Sequence, residues 1–174
     1  MKILSTKTVF TSRYFKVIQK VIERHGKTFT KDLIEKTSTA FVIPYTENEM
    51  YIESQYRDAY EKELIEVVAG KIEAGADPLE SAKRELLEEA GLIAKKWTKI
   101  AEWDMSANII EKIYVYAATD LEEKKQKLDV DEEITIMKLP FEKVLDKINT
   151  GEITIASNIA ALFLFDKLRR EGKL

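Results

Sequence analysis

Glu85, Glu88 and Glu89 sit within five residues of one another, in Arg84-Glu85-Leu86-Leu87-Glu88-Glu89. On a helix turning about 100° per residue, their side chains fan across roughly 100° of one flank. Exposed like charges at i,i+4 repel by a few tenths of a kcal/mol per pair unless a cation occupies the space between them. Hard carboxylate oxygens suit Mg²⁺ or Mn²⁺. The alternative is a solvated acidic face offset by Lys83 and Arg84. Little else in the chain could do chemistry, since it has no cysteine and a single histidine, His25. That excludes thiolate metal sites and cysteine nucleophiles, and leaves no easy route to a Ser-His-Asp triad or a multi-histidine zinc site.

The elements that must position these carboxylates are well marked. Asp77 can cap a helix that starts at Pro78, Glu80 stands at the third position of a capping-box-like arrangement, and Gly91 supplies a left-handed stop. Leu79, Ala82, Leu86 and Ala90 share the inward face. Gly70 and Gly75 predict a tight loop that brings backbone groups beside the glutamates. Elsewhere the pattern predicts strands over 15–22 and 28–34 joined by a His25-Gly26 turn, and further strands at 39–44 and 50–55. An apolar piece follows at 64–69, then strands near 98–104, 111–118 and 133–138. Helices at 141–149, ended by Gly151, and at 157–170 close the chain. Strands in groups with helices between them predict an α/β fold, a mixed sheet flanked by helices. The last helix carries Ile159, Leu162, Phe163, Phe165 and Leu168, a stripe read as core packing, with a subunit interface as the alternative.

At 174 residues, 45% hydrophobic and 34% charged, the chain has the make-up of one globular domain with a small appendage. A formal charge of -3, from 28 basic and 31 acidic residues, gives no field to gather nucleic acid. No apolar run approaches the roughly 18 residues of a membrane span, and Met1-Lys2-Ile3-Leu4-Ser5 is too short to act as a signal peptide. With the lack of cysteine, the expectation is a cytoplasmic protein that neither binds nucleic acid nor enters a membrane.

The glutamate segment resembles the Nudix box: a glycine, five residues, a glutamate, seven residues, then Arg-Glu-apolar-any-Glu-Glu-any-Gly-apolar. Arg84, Glu85, Leu86, Glu88, Glu89, Gly91 and Leu92 match, and Gly70 is in register. Ala76 stands where the pattern has its first glutamate. The resemblance implies an α/β/α sandwich in which Glu85 and Glu89 are the main metal ligands. Glu88 would be a further ligand or base, the Ala69 carbonyl an oxygen donor, and Arg84 the group that orients the glutamates. Glu73 or Asp77 would take over the bracing contact of the missing glutamate.

Beyond the box, Gln55-Tyr56-Arg57, Glu66-Val67-Val68-Ala69-Gly70, Leu139-Pro140 and Thr150-Gly151-Glu152-Ile153 resemble the ADP-ribose and nucleotide-sugar pyrophosphatase branch of that family. This likeness implies an N-terminal antiparallel β subdomain over 1–36 that helps form a homodimer, and a catalytic domain over 37–174. It makes Tyr14, Phe15 and Phe29 candidates for stacking on a base, Arg57 a phosphate clamp, Glu66 a substrate contact, and Glu111 an acidic group near the metals that also contacts substrate. In the acidic loop Asp129-Val130-Asp131-Glu132-Glu133, Val130 takes the place of a common catalytic glutamate, so Glu132, Asp131 or Glu133 would be the base. Ser106-Ala107-Asn108 replaces a Ser-Pro-Gly-like turn of ADP-ribose-selective relatives. The implied activity is Mg²⁺-dependent or Mn²⁺-dependent cleavage of a nucleoside diphosphate sugar, ADP-ribose first, to a nucleoside monophosphate and a sugar phosphate. The rival reading, suggested by Ala76, Ala107 and Val130, is a degenerate domain that binds a nucleotide as a sensor or adaptor without cleaving it.

Overall fold

The computed structural model describes residues 1–130 and 132–174. In chain order its elements are β1 (Lys2–Thr11), β2 (Lys16–Arg24), β3 (Lys27–Glu35), β4 (Thr39–Pro44), β5 (Glu49–Arg57), β6 (Lys62–Glu66), β7 (Val68–Lys71), α1 (Pro78–Ala90), β8 (Leu92–Ser106), β9 (Ile109–Glu123), β10 (Ile134–Pro140), α2 (Phe141–Asn149) and α3 (Ala156–Arg170).

Two strands with alternating inward faces organise the molecule. β4 runs parallel to β9, from Thr39 opposite Ile113 to Pro44 opposite Ala118. Phe41 and Ile43 with Ile113, Val115 and Ala117 point to one side, into a core closed by Phe141 and Val144 of α2 and by Ala161, Leu162 and Phe165 of α3. Ala40 and Val42 with Tyr116 and Ala118 point to the other, against Ala82, Leu86 and Ala90 of α1. A strand buried on both faces is the mark of a sheet between helical layers, an α/β/α sandwich.

β9 pairs with β8 along its length and with β3 and then β4 in succession, while β7 extends the sheet antiparallel to β4. β1, β2 and β3 form an antiparallel meander at the far end of the same seven-stranded sheet. A second sheet, in the order β10-β5-β6, is antiparallel throughout.

Several elements differ from the sequence expectation. β1 was not foreseen, because all its residues are exposed and its threonines, serine and lysines give no buried face to read. The strands expected at 98–104 and 111–118 belong to the longer β8 and β9, which support each other from Leu92 opposite Glu123 to Ser106 opposite Ile109. The apolar piece at 64–69 is broken at Val67. The buried Asn158 side chain of α3 accepts the Val67 N–H at 2.6 Å, so the break costs no unpaired donor and β7 is free to turn toward α1. In α3 itself, Ala161, Leu162 and Phe165 are core, whereas Phe163 faces outward.

Candidate active site

The ends of α1 form largely as expected. Asp77 Oδ1 accepts the N–H groups of Leu79 at 2.9 Å and Glu80 at 3.1 Å, Pro78 opens the helix, and Gly91 closes it at φ 62. The Glu80 carboxylate does not close a capping box; it pairs with Lys83 at 2.7 Å. With the cap fixed, burial of Ala82, Leu86 and Ala90 carries Glu85 and Glu89 against β7. They are 8% and 5% exposed, so this edge is no solvated acidic face, and only Glu88 is half-buried.

Gly70 lies in β7 rather than in a loop, opposite Ala40. A Cβ at this position would fall 1.8 Å from Glu85 Cδ, so only glycine leaves room for that carboxylate. One residue earlier, the Ala69 N–H donates to Glu89 Oε2 at 3.2 Å. The glycine at 70 and the acids at 85 and 89 thus lock the helix edge onto the strand edge.

Arg84 spans the acids. Its Nη2 donates to Glu85 Oε1 at 2.7 Å and to the Lys71 carbonyl at 3.3 Å, and its Nη1 to Glu88 Oε2 at 3.1 Å. These contacts hold the guanidinium despite Ala76. Asp77 is committed to capping, and Glu73 acts on Arg84 only as a nearby charge.

Facing α1 is the end of β5. Arg57 and Glu66, two candidates named separately from the sequence, hold each other: Nε donates to Oε1 at 2.6 Å and Nη2 to Oε2 at 3.0 Å. Such a fork fixes the guanidinium plane. A cavity of about 490 Å³ lies between, lined by Arg57, Ala69, Gly70, Glu85, Glu89 and Glu132 among others. Glu132 Oε2 accepts the Asp129 N–H at 3.1 Å, whereas Asp131 lies outside the described residues. Glu133 is exposed and does not line the cavity.

Next to it is a larger cavity of about 1100 Å³, and Arg13 and Glu73 line both. Tyr14, Phe15 and Glu111 reach this second space; Phe29 does not line it. The Phe15 ring packs 5.8 Å from that of Phe10, and Lys71 Nζ stands 4.9 Å over the Tyr14 ring. Glu111 is apart from the α1 carboxylates, bonded by the Thr39 hydroxyl at 2.8 Å and ion-paired with Lys36 at 3.2 Å.

Sequence reasoning passed over Glu53. It is fully buried, and neither carboxylate oxygen has a hydrogen-bond partner among the described residues. Its signal was a charge placed straight after Met50-Tyr51-Ile52, on the strand face shared with Gln55 and Arg57. Arg13 and Lys127, cations of the cavity wall, carried no signal because exposed basic residues are common.

The electrostatics follow from this packing. Burial, and then the Glu85 charge, pushes Glu89 up to about 8. Burial likewise raises Glu85, against the pull of Arg84, and burial followed by the Glu89 charge lifts Glu53 well above the ordinary carboxylate value. Buried acids that outnumber the basic groups holding them are a donor set that fits a divalent cation.

A pH dependence follows. Acids raised on folding bind more protons in the folded state, so stability present at low pH is lost as pH climbs through the raised values. Without divalent cations, the melting temperature should fall between about pH 5 and 8. A full proton of difference would give about 1.4 kcal/mol per pH unit, or roughly 3–6 °C for a domain of this size. Glu89→Gln should flatten the slope, and melting in a chelator across that range checks it; a flat wild-type profile contradicts these environments.

The NUDIX domain model matches residues 36–158. The ADP-ribose pyrophosphatase of Bacillus subtilis (strain 168) is 32% identical over 172 residues, covering 93% of each chain. The ADP compounds hydrolase NudE of Escherichia coli (strain K12) is 24% identical over 99% of this chain and 95% of its own. The methanol dehydrogenase activator of Bacillus methanolicus is 29% identical over 92% of this chain and 90% of its own. In fold, a crystal structure of ADP compounds hydrolase superposes with a TM-score of 0.87 at 24% identity, over 99% of this chain and 96% of that one. With the family model spanning well over half its length and a curated relative matching nearly end to end, the chain belongs to the NUDIX domain family.

Proposed function

We propose that this protein hydrolyses the diphosphate link of a nucleoside diphosphate sugar in a reaction that needs Mg²⁺ or Mn²⁺, with ADP-ribose the first candidate. That it is a hydrolase of phosphoric anhydrides follows from its family and its pyrophosphatase relatives. The finer reading is carried by one observation: two buried glutamates of α1 locked against Ala69-Gly70, across a cavity from the Arg57 fork.

In this reading Glu85 and Glu89, with Glu88 and the Ala69 carbonyl, hold the cation, and Arg84 keeps the acids aligned. A bound divalent cation offsets diphosphate charge and makes water a better nucleophile near neutral pH. Arg57, oriented by Glu66, pairs with phosphate oxygens through its remaining N–H groups. Glu132 takes the proton from the attacking water, a role supported by its place on the cavity wall. Phe15, with Tyr14, offers an aromatic surface to the base in the adjoining cavity, where Glu111 contacts the substrate.

The uncovered meander supports a homodimer built through residues 1–36: Ile3, Leu4, Val9, Phe10 and Phe29 are all exposed there. The absence of cysteine fits a cytoplasmic setting.

The test is incubation with Mg²⁺ and a panel of ADP-ribose, GDP-mannose, UDP-glucose and dinucleoside polyphosphates, assayed for monophosphate release. AMP and ribose phosphate from ADP-ribose are expected. Binding with no product from any member would favour the sensor reading instead.

A further inference from the structure

Side chains 53, 55 and 57 of β5 share one face of their strand by its two-residue repeat. Gln55 and Arg57 line the smaller cavity, and Glu53 is the next residue inward on that face, about 6–7 Å deeper along the strand. β5 is the middle strand of its sheet, with Glu53 opposite Ile136 on one side and opposite Glu66 on the other. Among the described residues no group bonds Glu53, and the one charge that offsets it, that of Arg57, is shared. Arg57 is engaged by Glu66, and Arg84 by Glu85 and Glu88. Glu89, whose charge acts most strongly on Glu53, is itself an acid that among the described residues accepts one hydrogen bond, from the Ala69 N–H.

A carboxylate that is 0% exposed with both oxygens unpartnered is among the costliest groups a core can hold. Glu89 on the cavity wall and Glu53 buried behind it, neither ion-paired to a basic side chain among the described residues, match the charge and the oxygen preference of one divalent cation. We propose that Glu53 is a further oxygen donor to the cation held by Glu89, reaching it from the β5 side of the cavity floor. The site then draws donors from β5 as well as from the α1 motif and β7. The inference rests on the metal site proposed above, and the experiment separates the two.

Mn²⁺ titration of the intact protein, read from the electron paramagnetic resonance signal of free Mn²⁺, measures binding without turnover. Wild-type, Glu53→Gln, Glu53→Leu and the exposed control Glu142→Gln would be compared, each also melted in a chelator. Both Glu53 variants should bind Mn²⁺ at least tenfold more weakly than wild-type and the control. Glu53→Leu leaves no polar group to satisfy, so it should melt at or above the wild-type temperature when metal-free and keeps the test open if Glu53→Gln folds poorly. Wild-type-like Mn²⁺ affinity in a folded Glu53 variant overturns the proposal and makes Glu53 a neutral buried acid. Failure of wild-type itself to bind Mn²⁺ removes the metal site and this proposal together.

Discussion

Glu85→Gln and Glu89→Gln should each lower turnover by at least ~100-fold while leaving the fold intact. Loss of a group that merely supports a metal ligand commonly costs 10–100-fold, and a ligand removed outright should cost no less. The amide has nearly the volume of the acid, so the packing of α1 on β4 and β7 is untouched. Each substitution also removes a buried charge from a region where burial already disfavours it. The metal-free variants should therefore melt at or above the wild-type temperature. The joint result, a dead enzyme with an unharmed fold, separates a ligand from a structural residue. Wild-type rates in both variants would remove these glutamates from the chemistry.

Gly70→Ala should do comparable damage through a single methyl group. The new Cβ would stand 1.8 Å from Glu85 Cδ and 2.1 Å from its Cγ and Oε1, so the side chain must swing away. Glu85 is clipped by Arg84 at 2.7 Å, and moving it disturbs the arginine bridge to Glu88 as well. We expect turnover to fall about as far as in Glu85→Gln, with a stability loss of about 1–3 kcal/mol, the usual cost of overpacking. Because both changes act on one carboxylate, the Gly70→Ala/Glu85→Gln double variant should be scarcely worse than either single one. Steady-state rates and melting of the three variants check this; an additive double variant, or a fully active Gly70→Ala, would contradict the interlock.

The helix that carries the acids was legible because its signals are local. Asp77, Pro78 and Gly91 act within a turn of their own positions, and Leu86 with Ala82 and Ala90 repeats at helical spacing. The mixed sheet and flanking helices were legible for the same reason, through runs such as Thr39 to Pro44 that are buried on both faces. β1 was not, because an exposed strand next to β2 owes its conformation to the ladder from Lys2 opposite Glu23 to Thr11 opposite Lys16, not to its own composition.

Within the site, the acids of α1 and the glycine before them could be read from spacing, while Ala69 came only with the resemblance to the Nudix box. Pairings across the fold could not. That Arg57 and Glu66 occupy one another depends on the register of β5 with β6, and that Asn158 ties down Val67 depends on where α3 docks. Glu53 was hidden by the same limit. A charge straight after Met50-Tyr51-Ile52 marks the position, but its meaning comes from the lack of a hydrogen-bond partner among the described residues, which only the fold shows.

Diffraction from crystals soaked in Mn²⁺ with a non-hydrolysable ADP-ribose analogue, collected at a wavelength where manganese scatters anomalously, tests the central claim most directly. Anomalous peaks are expected between the Glu85 and Glu89 carboxylates and the Ala69 carbonyl, with the analogue's diphosphate between them and Arg57. Ordered analogue with no manganese at that junction, or manganese bound only elsewhere on the surface, would contradict it.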